Sequence, residues 1–468
     1  LAGIYLLRFG PPNLHTHLEE LRSALETEQD TGLLMYLQPL LIRHGGEEGI
    51  ALLERLLKQT NVDYRTKINA LRQVENLPPS RLFPLMSDLL KNGEPLYAEA
   101  AAMYFLDHGN QDQSDWYFKI IDSIPETSKE AKLVMAAASG RHASPYVRAA
   151  HAKVAAYLSK ELKEKEYSPV IKRQVVLAMG HCLDCLVPLK NILTDEGEDI
   201  TLRSAAAESL GTLAAAPNFS LFYKSASTEV KVFIAKYLSL AILTPEEGLI
   251  ASAAGAITNP TAGLRLFVSD TINWERIRQS LKLPAQAEDY MSLLTLEDFL
   301  ENKTNKESWS PPYNHPLDWD HLRKITDTTR AVIKTTKGNI SIQLYKKRAP
   351  GTVLTFVQLA TSQFYDGKIF HRVVPNFVIQ GGCTRGDGYG SLDFSLRSEL
   401  GYSYFDDEGY IGMASAGNHT ESQQFFITHS PTPHLDGNYT LFGKVMEGMD
   451  VVHQISKGDV IESIIILY

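Results

Sequence analysis

The sequence predicts a multidomain chain: an all-α solenoid of paired helices over residues 1–285, an ordered connector over 286–328, and a closed antiparallel β-barrel capped by two helices over 329–468. Three observations predict it. At 468 residues the chain is too long for one ordinary core, since domains run to roughly 100–200 residues. Its apolar residues recur with the helical period up to about residue 285 and with period 2 after 330. Between the two lies a stretch with three prolines, two tryptophans and no period, "ENKTNKESWSPPYNHPLDWDHL".

The helical region repeats itself. "ITLRSAAAESLGTL" places Leu202, Ala206, Leu210 and Leu213 on one stripe, and "VIKRQVVLAMGHCLDCLVPL" does the same with Val176, Met179, Leu183 and Leu186. "EVKVFIAKYLSLAI" follows with Val230, Ile234 and Leu238, and Lys172 and Arg203 hold similar places about 31 residues apart. A repeat of this length built from paired helices is the mark of a solenoid, and the units resemble degenerate HEAT or armadillo-like repeats. An irregular helical bundle is the alternative, because matches on Ala, Leu and Arg arise easily in an Ala-rich chain. The opening "LAGIYLLRFG" reads as a helix end with a Gly stop, so the solenoid is expected to begin before residue 1.

In the connector, Trp309, Tyr313 and Trp319 predict a segment packed along a surface, because a disordered tether is poor in aromatics. After it, "RAVIKTTKGNISIQLY" alternates Ile340, Ile342 and Leu344 behind a Lys337-Gly338-Asn339 turn and reads as a hairpin. A helix is expected in "APGTVLTFVQLATSQF", strands in "KIFHRVV", "FVIQGG", "YIGMASA", "QQFFITH", "YTLFGKV" and "VIESIIIL", and a last helix in "MDVVHQIS". Many strands with two helices point to a capped barrel.

Composition narrows the function classes. The fractions, 44% hydrophobic and 22% charged, are those of a globular protein. No run approaches the roughly 18 apolar residues of a membrane helix. The net charge of −9 and the lack of Lys/Arg clusters argue against nucleic acid. Residues 329–468 carry 12 basic against 13 acidic residues, leaving 34 against 42 upstream. The helices hold the acidity, which fits a partner-facing scaffold.

Three segments carry the chemistry: "FHRVVPNFVIQGG" (370–382), "GMASAGNHTESQQFFI" (412–427) and "HLDGNYTLFGKV" (434–445). In this order and at these separations they resemble the signature segments of the cyclophilin family of peptidyl-prolyl cis-trans isomerases, over about 140 residues. The resemblance implies catalysis of X-Pro bond rotation in flexible polypeptides, without cofactor or metal. The barrier is about 20 kcal/mol, set by amide resonance. A guanidinium that binds the twisted amide's pyramidal nitrogen better than the planar one lowers it, about tenfold per 1.4 kcal/mol.

On that resemblance Arg372 supplies the guanidinium, with a surface Arg on an edge strand as the lesser alternative. Phe377, Val378, Phe426 and Leu435 line the proline pocket, and Gln380 bonds the substrate backbone and helps orient Arg372. Ala414, Ser415 and Ala416 grip the substrate chain, and Gln424 supports the pocket. This chain departs from eukaryotic members in carrying His434 where Trp is usual, Tyr439 where His is usual, Val378 for Met and Ser415 for Asn. Activity is expected to survive. The missing indole N–H at His434 predicts weak binding of cyclosporin-type inhibitors. These replacements and the short loops resemble bacterial members, and an envelope location, as in exported folding helpers, is implied by that resemblance; the first residue, Leu1, leaves room for a leader or further folded chain upstream.

The weaker signals read as structure. "HCLDC" holds a lone CxxC inside a helix, expected to be core cysteines. "GDGYG" (386–390) lacks the strand and helix of a phosphate loop and reads as a flexible loop near the barrel mouth. Two functions remain open: an isomerase whose solenoid recruits clients or docks a partner protein, and a scaffold that binds proline segments without turnover.

Overall fold

A computed structural model describes residues 17–268, 272–301, 309 and 311–468; the helix end expected at 1–10 lies outside them. The chain divides into two compact units, Leu1–Glu161 and Leu162–Tyr468. No single helix among the described residues is long and apolar enough to cross a membrane.

The first unit is helical. Helices Thr31–His44 and Glu47–Lys58 pack together, as do Pro79–Asn92 and Pro95–His108, and the latter also lies against Lys129–His142. Ala98, Ala101 and Ala102 on one helix and Ala131 and Ala138 on the other are fully buried, so their small side chains let the backbones approach. Asp30 starts the first of these helices by accepting from the Gly32 and Leu33 amides, which satisfies donors a helix N-terminus leaves unpaired.

The second unit begins with helices α1 (Pro169–Met179), α2 (Leu186–Thr194), α3 (Ile200–Ala214), α4 (Ser227–Ile242), α5 (Leu249–Thr258) and α6 (Ala287–Glu301). Helix α3 is central and buried for most of its length, and Gly211 permits it to touch α5: a Cβ there would sit 2.7 Å from Ala256 Cβ. The single helix expected through "VIKRQVVLAMGHCLDCLVPL" is instead two, bent by 112°. The backbone leaves the helical region at Cys182, which is extended at φ −115° and ψ 111°, and Gly180 just before it lies so close to α3 that a side chain there would meet Ser209 at 3.0 Å. The CxxC pair thus spans a turn between helices, with both thiols buried and the Cys185 thiol pushed up by its hydrogen bond with Cys182 and by burial.

Within the expected connector, 287–301 is helix α6, with Leu293 and Leu296 buried as it packs on α5. Of the three aromatic residues named for the connector, Tyr313 lies against His419 at 5.1 Å, whereas Trp319 opens a short helix, Trp319–Lys324, and is exposed. Trp309 stacks on Tyr290 of α6 at 4.2 Å, and His315 stacks on Phe394 at 4.0 Å.

Eight strands follow, β1 (Arg330–Thr335), β2 (Gly338–Leu344), β3 (Phe370–Val374), β4 (Val378–Gly381), β5 (Tyr410–Met413), β6 (Phe425–Thr428), β7 (Leu441–Glu447) and β8 (Ile461–Leu467). They form one antiparallel sheet ordered β3-β4-β6-β5-β7-β2-β1-β8. The alternating Ile340, Ile342 and Leu344 all point inward, into a core with Ile333, Phe356, Phe370, Ile411, Phe425 and Phe442. Helix α7 (Pro350–Thr361) packs on β8, and α8 (Met449–Gln454) on β2. Glu399 caps α7, accepting from the Gly351 and Thr352 amides at 3.1 and 2.9 Å. The sheet curls until its ends touch: Phe370 N donates to Asp459 O and Ile461 N to Lys368 O, at 2.9 and 2.7 Å. With the Gly458 N to Phe370 O and Gly367 N to Ile461 O bonds and an isolated Ile369–Val460 bridge, these contacts join the starts of β3 and β8 without a continuous ladder, so the expected closed barrel is a strongly curled sheet stitched at one place.

Candidate functional site

Register builds the site. Arg372 on β3 pairs with Gln380 on β4, Gln380 with Phe426 on β6, Phe426 with Gly412 on β5, and Gly412 with Leu441 on β7. Residues paired across antiparallel strands project to the same face, about 4.8 Å apart per strand. Five strands thus lay one row across the outer face of the sheet, with a cation at one end and apolar side chains at the other.

The β3–β4 turn aims the row's neighbour, Phe377. Asn376 takes φ +60°, a left-handed conformation that Asn tolerates better than most residues. Ser430 Oγ donates to Asn376 O at 2.8 Å and His429 N to Phe377 O at 2.9 Å, which pins the turn against the segment after β6. Arg372 is exposed, with its guanidinium carbon 5.6 Å from the centre of the Phe377 ring. Among the described residues it has no acidic or hydrogen-bonding partner.

Next to it is an apolar basin. Val378, Phe405, Phe426, Leu435 and Leu441 are buried together, with half-buried Phe377, Tyr345, Tyr410 and Tyr439 packed round them. Tyr439 stands nearly perpendicular to Phe426 at 5.7 Å, and His434 lies over Phe377 at 5.2 Å. The basin exists because position 412 is Gly: a Cβ there would sit 2.4 Å from Phe426 Cζ. Its floor depends on Asp436, which accepts from Phe405 N at 2.7 Å and holds that distant segment under Phe426.

The groove beside Gln380, away from the basin, is polar. Gln380 Nε2 donates to Gln424 Oε1 at 3.1 Å, and Gln424 Nε2 donates to the carbonyls of Gly388 and Gly390, both at 2.7 Å. Gln380 therefore faces Arg372 across the ladder but spends its amide donor on Gln424. Backbone groups of the next segment are partly committed: Ala414 N donates to Gln424 O at 2.9 Å, and Ala416 N to Thr420 Oγ1 at 2.8 Å. The Ser415 amide between them makes no such bond among the described residues. The expected flexible loop at 386–390 is instead clamped. Arg385 pairs with Asp387 at 2.6 Å and reaches Ser204 of α3 at 3.0 Å, Tyr389 donates to Glu208 at 3.3 Å, and Ser391 N to Glu247 at 2.8 Å.

Two buried titratable groups stand behind this surface. His371, beside Arg372, is held neutral, its pKa lowered to about 4 by burial and by the charges of Lys457, Arg372 and Arg173. Glu421 is pushed up to about 7 by burial, partly offset by hydrogen bonds including those from Thr440 at 2.8 and 2.9 Å.

All twelve residues expected from the sequence lie along this row or its rim. Sequence reasoning missed Gly412, Phe405 and Leu441. Gly412 stands inside a quoted motif, where a glycine between bulky strand residues signals a close approach; Phe405 lies in "YSYFDDEG", which has no periodic signal.

The family model for cyclophilin type peptidyl-prolyl cis-trans isomerase/CLD matches residues 330–466. Peptidyl-prolyl cis-trans isomerase B of Bacillus subtilis is 45% identical over 126 residues, 27% of this chain and 88% of that protein. The Helicobacter pylori peptidyl-prolyl cis-trans isomerase is 43% identical over 145 residues, 30% of this chain and 89% of that one. A Cryptosporidium parvum cyclophilin type isomerase of known structure is 28% identical, covering 30% of this chain and 98% of its own, with a TM-score of 0.29. With most of each curated relative covered at this identity, the chain belongs to the cyclophilin-type peptidyl-prolyl cis-trans isomerases, and residues 330–466 are its isomerase domain.

Proposed function

We propose that the chain isomerises X-Pro bonds with Arg372 as the group that acts on the prolyl nitrogen. The proline ring sits in the basin of Phe377, Val378, Phe426, Leu435 and Tyr439, with His434 at its rim. Gln380, held by Gln424, bonds the substrate backbone, and the strip 414–416 lies along the peptide, with the Ser415 amide the one left over for it. One observation carries this reading: an uncompensated guanidinium stands 5.6 Å from the Phe377 ring, at the mouth of an apolar basin. A donor that pairs only with a twisted amide gains selectively in the transition state, which is what accelerates the step.

The helix pairs are read as HEAT-like and as the part that recruits folding clients or a partner protein, so that the isomerase domain meets its substrates at raised local concentration. A peptide isomerisation assay on wild type and Arg372→Ala tests the catalytic reading. Equal rates would refute the role of Arg372. A wild type that binds proline peptides without turnover would replace the enzyme by a scaffold.

A further inference from the structure

Helix α6 reaches the same groove. A cavity of about 160 Å³ is lined on one side by Gln380, Ala414, Ser415, Ala416 and Gln424, and on the other by Ala285, Ala287 and Glu288, with Gly388–Ser391 between. This is room for a side chain rather than a lone water. The neighbouring charged groups are already committed. Asp289 accepts from the Gly248 and Ala251 amides, both at 2.9 Å, Glu247 from Ser391 N, and Arg385 holds Asp387 and Ser204. Glu288 differs: among the described residues its carboxyl accepts no hydrogen bond and makes no ion pair.

We infer that Glu288 is a specificity determinant of the isomerase, holding a lysine or arginine side chain that flanks the substrate proline. The inference rests on the groove assignment above. The chemistry follows from the wall: two glutamines and backbone groups position the peptide, and one unpaired carboxylate in a confined site prefers a cation. No residue of 330–466 supplies that carboxylate, so the helical part would act on substrate choice directly and not only by tethering.

Glu288 is pushed up to about 7, first by burial, then by Asp289 and Asp387, with Arg385 opposing and Glu247 adding. It is protonated below that value and charged above it, so the preference for a cationic substrate grows as pH rises through neutrality.

The test uses the full chain and peptides that place lysine, its neutral analogue norleucine, or glutamate at each position next to proline. In wild type at about pH 8, kcat/KM for lysine should exceed that for norleucine by roughly five- to tenfold at one position, and the ratio should shrink at about pH 6. Glu288→Gln should abolish the ratio, and Glu288→Lys should turn it toward glutamate, a gain that misfolding cannot imitate. No lysine preference in wild type, or the same preference in both variants, overturns the inference. Arg372→Ala run alongside separates the two ideas: if it turns over like wild type, the groove assignment itself fails, whereas an inactive Arg372→Ala beside unchanged ratios in the Glu288 variants sinks only the role of Glu288.

Discussion

The two ends of the groove are built by different physics. The basin is an apolar cluster of Val378, Phe405, Phe426, Leu435 and Leu441, held by burial and tolerant of exchange among side chains of similar shape. The polar end is a chain of specific hydrogen bonds, Gln380 to Gln424 to Gly388 and Gly390, in which each partner is needed to satisfy another. The basin is therefore expected to absorb departures such as Val378 and Tyr439. At the polar end, exchange is constrained, and the helices can intervene.

Arg372→Ala should have the largest effect. It lowers kcat/KM by about 10²–10³-fold, the usual cost of removing a transition-state donor, while unfolding stability stays within roughly 0.5 kcal/mol because the side chain is exposed and unpaired. A parallel loss of stability would mean that Arg372 belongs to the fold rather than to the chemistry.

Gly412→Ala probes the basin from beneath. With a Cβ 2.4 Å from Phe426 Cζ, the ring must move outward, costing about 1–3 kcal/mol and raising KM for proline peptides. Denaturant unfolding and steady-state kinetics read both, and an unchanged KM would show that the basin floor does not set proline binding.

Glu421 probes the ground behind the polar end. Its folded pKa of about 7 lies above its ordinary value of 4.5, so its contribution to stability is complete below about 4.5 and is lost as pH rises through about 7. Glu421→Gln has no such titration. Its stability relative to wild type should improve by about 2 kcal/mol between about pH 5 and pH 8, measured by thermal unfolding. Parallel pH profiles would contradict the buried, proton-holding carboxyl. His371 acts in the opposite sense. Its lowered pKa contributes stability above 6.5 that is lost as pH falls through about 4.

The smallest effect is expected at the basin rim. His434→Trp restores an indole donor and should tighten a cyclosporin-type inhibitor by about tenfold, near the worth of one hydrogen bond. Low-nanomolar binding by wild type would remove the premise.

Both ends also differ in how legible they were. Every expected strand after 330 and both helices are present, because period-2 alternation reports burial on one face. The basin's Phe377, Val378, Phe426 and Leu435 were readable because they stand in ordered motifs. Phe405 was not, since it is held in the basin by bonds to residues remote in sequence, Asp436 and Thr432. Cys182 shows the converse: a continuous apolar stripe read as one helix turns where this one residue is extended, which the stripe does not record. The loop at 386–390 looked flexible because glycine alternation is silent about the Arg385, Tyr389 and Ser391 contacts that clamp it.

By itself the sequence determined the helical and strand periods, the change of texture near 286–328, and the three motif segments that contribute to the row, because local alternation and motif spacing record burial and chemistry along the chain. Only the tertiary structure decided that Arg372, Gln380, Phe426, Gly412 and Leu441 form one line, since strand register couples residues far apart in sequence. It also decided that Glu288 faces the groove. A helix some ninety residues before Gln380 can reach it only through packing, and packing between remote elements leaves no period in the sequence to read.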